Sequence, residues 1–74
     1  MMDTLDHIEL QRVVEIVSVD HSPISSKLTE MGLVAGQLIT TLFRAPFGDP
    51  IAIELNGTIL SLRIEEAQFI EVKA

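Results

Sequence analysis

The stretch Ile51-Ala52-Ile53-Glu54-Leu55-Asn56-Gly57-Thr58-Ile59-Leu60-Ser61-Leu62 decides the fold class. Ile51, Ile53 and Leu55 alternate with Ala52 and Glu54, the period of two that lays one face of a strand on a core. Asn56-Gly57 then interrupts the pattern. A type I′ hairpin turn needs positive φ at both central residues, and asparagine and glycine tolerate that best. The following strand answers with Leu60, Leu62 and Ile64 inward and Ser61 and Arg63 outward. An antiparallel hairpin is predicted here.

Working outward, Ala45 to Asp49 reads as a loop punctuated by Pro46 and Gly48, and Pro50 fits only as the first residue of a strand. Gln37 to Arg44 reads as a strand, preceded by a turn at Gly36. Upstream lies a short helix: Ser22 as cap, Pro23 at the first helical position, and Ile24, Leu28 and Met31 at i, i+4, i+7 on one apolar stripe. Gly32 supplies a left-handed residue just past its end, and Leu33 is placed for the hydrophobic contact back to Leu28. Arg12 to Val19 is rich in β-branched residues and reads as a strand. Its alternation is poor, which predicts either two covered faces or a bulge. Thr4 to Ile8 fits one helical turn with Thr4 as its cap. Glu65-Glu66-Ala67 fits another, and Phe69 to Lys73 a last strand with Ile70 and Val72 on one face.

Five short strands offer too little helix to cover a flat sheet, whereas curling into a small barrel removes exposed edges. The chain has 74 residues, enough for one domain. It has no cysteine, so disulfides and thiolate metal sites are excluded. Its net charge of −6 gives little purchase on phosphate, which argues against nucleic-acid binding and against acidic lipid. No apolar run reaches the ~18 residues of a membrane span, and Met1 to Asp6 lacks the features of a signal peptide.

Chemistry is sparse. His7 and His21 are the only histidines; Asp6 and Asp20 sit beside them, but no metal-ligand spacing joins them, and ordinary surface histidines are the expected reading. No serine has a nucleophile motif, and Gly32-x-x-x-Gly36 lacks the lysine and hydroxyl of a phosphate loop. No catalytic residue, metal ligand or cofactor is predicted. The absence of Tyr and Trp argues against a groove for proline-rich peptides. One segment stands out. Phe47, at the tip of its Pro/Gly loop, either folds back into the core or stands exposed as a partner anchor flanked by Arg44 and Asp49. Lys27 on the helix is a further candidate contact, alongside its reading as solvated surface.

Three phrases together resemble the ferrous-iron transport protein A (FeoA) family: Leu28-x-x-Met31-Gly32-Leu33-x-x-Gly36-x-x-Ile39, Ala45-Pro46-Phe47-Gly48-Asp49-Pro50-Ile51, and Leu62-Arg63-x-x-Glu66-Ala67-x-x-Ile70-x-Val72. The resemblance spans about Leu5 to Lys73. It implies one SH3-like, partly open β-barrel over residues 1–74, of about five strands with one short α-helix. It also implies a non-enzymatic cytoplasmic accessory protein of bacterial ferrous-iron uptake, whose partner is the membrane Fe(II) transporter with a GTP-binding domain. The alternative is an iron-binding sensor or carrier using carboxylates with His7 or His21. Homo-oligomers through strand edges are compatible with either. The chain departs from the family at Leu10-Gln11, where members often have Pro-Gly, at Lys27, often Arg, and at Ala35, often Pro.

Overall fold

Strands β4 (Ile51–Leu55) and β5 (Thr58–Leu62) pair antiparallel across Asn56-Gly57 in the computed structural model, which describes residues 2–20 and 25–74. Asn56 and Gly57 take φ of 51° and 82°, as the predicted turn requires. Ile51, Ile53, Leu55 and Leu62 are buried. Four further strands complete the sheet: β1 (Met2–Thr4), β2 (Val13–Val19), β3 (Leu38–Arg44) and β6 (Ile70–Lys73). The order is β1-β6-β2-β3-β4-β5, with every pair antiparallel. β1 and β5 are edges, so the barrel is not closed.

Two register shifts bend the sheet. One falls between Ile16 and Ser18, where β2 meets β6; the other between Thr41 and Phe43, where β3 meets β4. A bulge adds local twist and re-aims the side chains beyond it. The shift in β2 accounts for the poor alternation of Arg12 to Val19 in the sequence. The curled sheet wraps a core built from Ile16, Ile39, Ile53, Leu62, Ile70 and Val72, closed by Leu5, Leu28, Leu33 and Ala67 from the helical segments.

Helix α1 spans Ser25–Glu30. The predicted cap Ser22, together with Pro23 and Ile24, lies outside the described residues, as does His21. The end of the helix is fully formed. Gly32, at φ 93°, donates to the Thr29 carbonyl at 2.9 Å, and Leu33 donates to the Leu28 carbonyl at 3.1 Å. These are the two bonds of a Schellman motif, and both leucines are buried.

Three expectations are corrected. Among the described residues the strands number six rather than about five, because Met2–Thr4 pairs with Glu71–Lys73; three residues are too few to show a period. Among the described residues the α-helices number two rather than one, because the helical turn expected at Glu65-Glu66-Ala67 is a second helix, α2 (Ile64–Ala67). A 3-10 turn, Leu5–His7, stands where the N-terminal helical turn was expected, but Thr4 makes no side-chain cap bond. The Thr4 N–H instead donates to Asp3 Oδ1 at 2.8 Å.

Gln11 marks where a family glycine is missing. It sits at φ 60°, and its N–H donates to the Thr41 carbonyl at 2.6 Å. A side chain in the left-handed region costs about 1–2 kcal/mol, of which glycine returns roughly 0.5–1 as extra freedom of the unfolded chain. Gln11→Gly is therefore expected to stabilise the fold by about 0.5–1 kcal/mol, read as a rise in the urea midpoint with an unchanged m value.

Candidate docking site

The loop between β3 and β4 owes its shape to its own backbone. Gly48 donates to the Ala45 carbonyl at 2.7 Å, closing a turn with Pro46 and Phe47 at its centre, and Ala45 donates to Pro50 at 3.0 Å across its base. Proline at the second position pre-sets the φ this turn needs. The Asp49-Pro50 peptide is cis. Of the two readings left open for Phe47, the exposed one holds: its relative exposure is 99%.

Arg44 and Asp49 flank the loop as expected, and both are bonded within the molecule. Arg44 Nη2 donates to the Asp6 carbonyl at 2.5 Å, tying the end of β3 to the 3-10 turn. Asp49 Oδ1 accepts the Ile64 N–H at 3.1 Å, satisfying one of the orphan donors at the start of α2. These tethers brace the base of the loop while its tip stays bare. A phenylalanine held in water forgoes about 1.5–3 kcal/mol of burial, which a partner pocket can supply.

Lys27 is engaged as well. Its Nζ lies 2.7 Å from Glu66 Oε2, and the Glu66 side chain is only 7% exposed. Glu66 also accepts the Arg63 N–H at 2.9 Å, satisfying a backbone donor at the start of α2. The Lys27 hydrogen bond, then the Arg63 backbone, holds the Glu66 carboxyl below its ordinary range. Lys27 thus fastens α1 to α2.

His7 lies between two carboxylates. Its Nδ1 is 3.0 Å from Asp3 Oδ1 and its Nε2 is 3.3 Å from Asp6 Oδ2. The two acids occupy opposite edges of the ring, so they do not converge on one point. Among the described residues, no group of three His, Asp or Glu side chains is placed to hold a metal ion. The Asp3 hydrogen bond, then the charge of Asp6, raises the His7 pKa above its ordinary 6.5.

These shifts set a pH profile. His7 binds its proton more tightly when folded, so its contribution is complete below about pH 6.5 and is lost as pH rises through the folded pKa. Glu66 is shifted the other way, so its contribution is complete above about pH 4.5 and is lost on acidification. Melting temperature is expected to plateau between these values and fall on both sides. His7→Gln should flatten the alkaline descent, and Glu66→Gln the acid one.

Sequence reasoning missed the apolar part of the outer sheet surface. Val13, Leu38, Phe43 and Ile59 are each more than half exposed. The register sets Val13 beside Thr40, Thr40 beside Glu54, and Glu54 beside Ile59. The bulge after Thr41 determines where Phe43 falls, and no period in the sequence announces it. No described helix is long and apolar enough to cross a membrane.

The model of the FeoA domain family matches residues 4–74. The chain is 36% identical to a FeoA-like protein from Clostridium acetobutylicum, with a TM-score of 0.93, covering 99% of this chain and 86% of that one. A FeoA protein from Chlorobium tepidum is 35% identical, with a TM-score of 0.85, over 95% of this chain and 68% of that one. A Stenotrophomonas maltophilia FeoA solved with zinc, described as a prokaryotic SH3 domain protein, is 29% identical; its TM-score is 0.84 over 96% and 89% of the two chains. No curated protein matches the chain by sequence.

Proposed function

The chain belongs to the FeoA family, and on that premise we propose that it is a non-enzymatic accessory protein of bacterial ferrous-iron uptake. It docks from the cytoplasm onto the cytosolic part of the GTP-binding Fe(II) transporter through the Phe47 loop. Recruitment by that partner brings it to the inner face of the membrane. The S. maltophilia relative is described as a candidate ferrous-iron transport activating factor, which supports the pathway.

The observation that carries the docking reading is Phe47, 99% exposed on a loop whose base is fixed by Arg44 and Asp49. A bare aromatic on a loop braced at its base is the kind of anchor that dominates interface energetics. The iron sensor or carrier alternative, using carboxylates with His7 or His21, has no comparable support: His7 is taken up by Asp3 and Asp6, no described cluster gathers three ligands, and His21 lies outside the described residues.

Tagged protein is expected to retain the GTP-binding Fe(II) transporter, identified by mass spectrometry, from detergent-solubilised membranes of its own organism. Recovery of soluble proteins without the transporter would overturn the reading.

A further inference from the structure

The two edges of the sheet are unlike. β1 is three residues long and contains Asp3, whose carboxylate is bonded to Thr4 and His7. Short length and a charged side chain on the strand are ordinary ways of blunting an edge. β5 has neither protection. Thr58-Ile59-Leu60-Ser61-Leu62 is five residues without a charge or a proline, and Ile59 is 63% exposed.

The hairpin turn determines which backbone groups that edge presents. In a two-residue hairpin the pair flanking the turn, here Leu55 and Thr58, exchanges both of its hydrogen bonds, and bonded and non-bonded pairs then alternate. Thr58, Leu60 and Leu62 therefore bond inward to β4, while Ile59 and Ser61 turn their N–H and C=O groups outward. Among the described residues, neither has a backbone bond from any turn or loop.

We propose that β5 is a self-association edge, at which two copies of the chain pair antiparallel about a two-fold axis at Leu60. This register sets Ile59 against the partner's Ser61, so the outward groups of both strands are used, and Leu60 against the partner's Leu60 as an apolar contact. Isologous pairing of this kind closes on itself and stops at a dimer. The overall charge of −6 does not oppose it locally, because the strand is neutral. Charge instead favours it. Glu54 lies directly beside Ile59 on the outer face, and the partner's Arg63 lies one step beyond the partner's Ser61 on that face. The two are about 12 Å apart at Cα by strand geometry, a span that an arginine and a glutamate bridge between them. Neither Glu54 nor Arg63 has a side-chain ion pair within the described chain. The seam is narrow, so association belongs at the weak end of specific interfaces.

Sedimentation equilibrium from about 10 μM to 1 mM covers that range. The weight-average mass is expected to climb from 8.2 kDa toward twice that value. Over the same series, the Ile59 and Ser61 amides should gain protection from hydrogen exchange. Ser61→Pro removes an outward N–H and leaves the β4 ladder intact, so it should stay at 8.2 kDa with a wild-type circular dichroism spectrum. Ile59→Lys, which keeps every backbone group, should do the same. A wild type that remains monomeric at 1 mM, or dimerises with no change at those two amides, would overturn the proposal. So would variants that fold and dimerise as well as wild type.

Discussion

Phe47→Ala is expected to weaken binding to the cytosolic part of the transporter by roughly 30-fold or more, the loss of about 2 kcal/mol that defines an interface hot spot. The same change should leave the melting curve in place. Phe47 is 99% exposed, and substitutions outside packed or bonded positions move stability by no more than about 0.5 kcal/mol. That separation of effects is the useful part of the experiment. A loss of binding with a lowered melting temperature would point to a damaged fold, whereas a loss at constant stability locates the anchor. Titration calorimetry against the purified cytosolic domain gives the affinity. Equal affinities for wild type and Phe47→Ala would remove the loop from the interface while leaving the partner in place. Asp49→Ala offers a graded companion: it frees the Ile64 N–H and loosens the base of the loop, so it should cost less affinity than losing the ring.

Ile53→Ala is expected to have the largest effect on the fold itself. Ile53 is fully buried at the middle of β4, paired with Thr41 on one side and Leu60 on the other. Removing its outer carbons takes away transfer free energy and leaves a cavity that a sheet bonded on both sides closes poorly; such changes cost about 2–5 kcal/mol. A chain of this length is stable by only roughly 4–11 kcal/mol. The variant should therefore lose anything from about a fifth of its stability to all of it. The measurement is urea unfolding followed by circular dichroism. A cost below about 1 kcal/mol would mean that the core is looser than its burial implies.

Elements whose instruction is local are legible in the amino-acid sequence. The β4–β5 hairpin is one, because alternation and Asn56-Gly57 agree about face and turn. The end of α1 is another: Leu28, Gly32 and Leu33 specify a Schellman motif within six residues. Both involve partners close in the chain, so spacing alone expresses them. β1 is not legible, because its partner is at the opposite terminus. Thr41 is not legible either. It is a buried hydroxyl within an apolar strand, made acceptable by donating to the Glu9 carbonyl at 2.6 Å and accepting the Arg12 N–H at 3.1 Å. Those partners lie about thirty residues away, on a loop that no pattern connects to β3.

The candidate site divides in the same way. Sequence places Phe47 at a loop tip between Arg44 and Asp49, since proline and glycine mark a turn wherever they stand. It does not say whether the ring points into the core or into water, because that depends on where β3 and β4 leave the sheet. Arg44, Asp49 and Lys27 read in sequence as surface contacts. Folding instead uses Arg44 to hold the 3-10 turn, Asp49 to hold the start of α2, and Lys27 to hold buried Glu66. A charged side chain carries no mark of its partner in the sequence. The sequence by itself thus determined the β-rich class, the hairpin, the helix stop and the phrases that identify the family. Only the tertiary structure decided which polar groups are spent inside the molecule and which aromatic is left outside it, because hydrogen bonds and burial are settled between segments that meet only when the sheet curls.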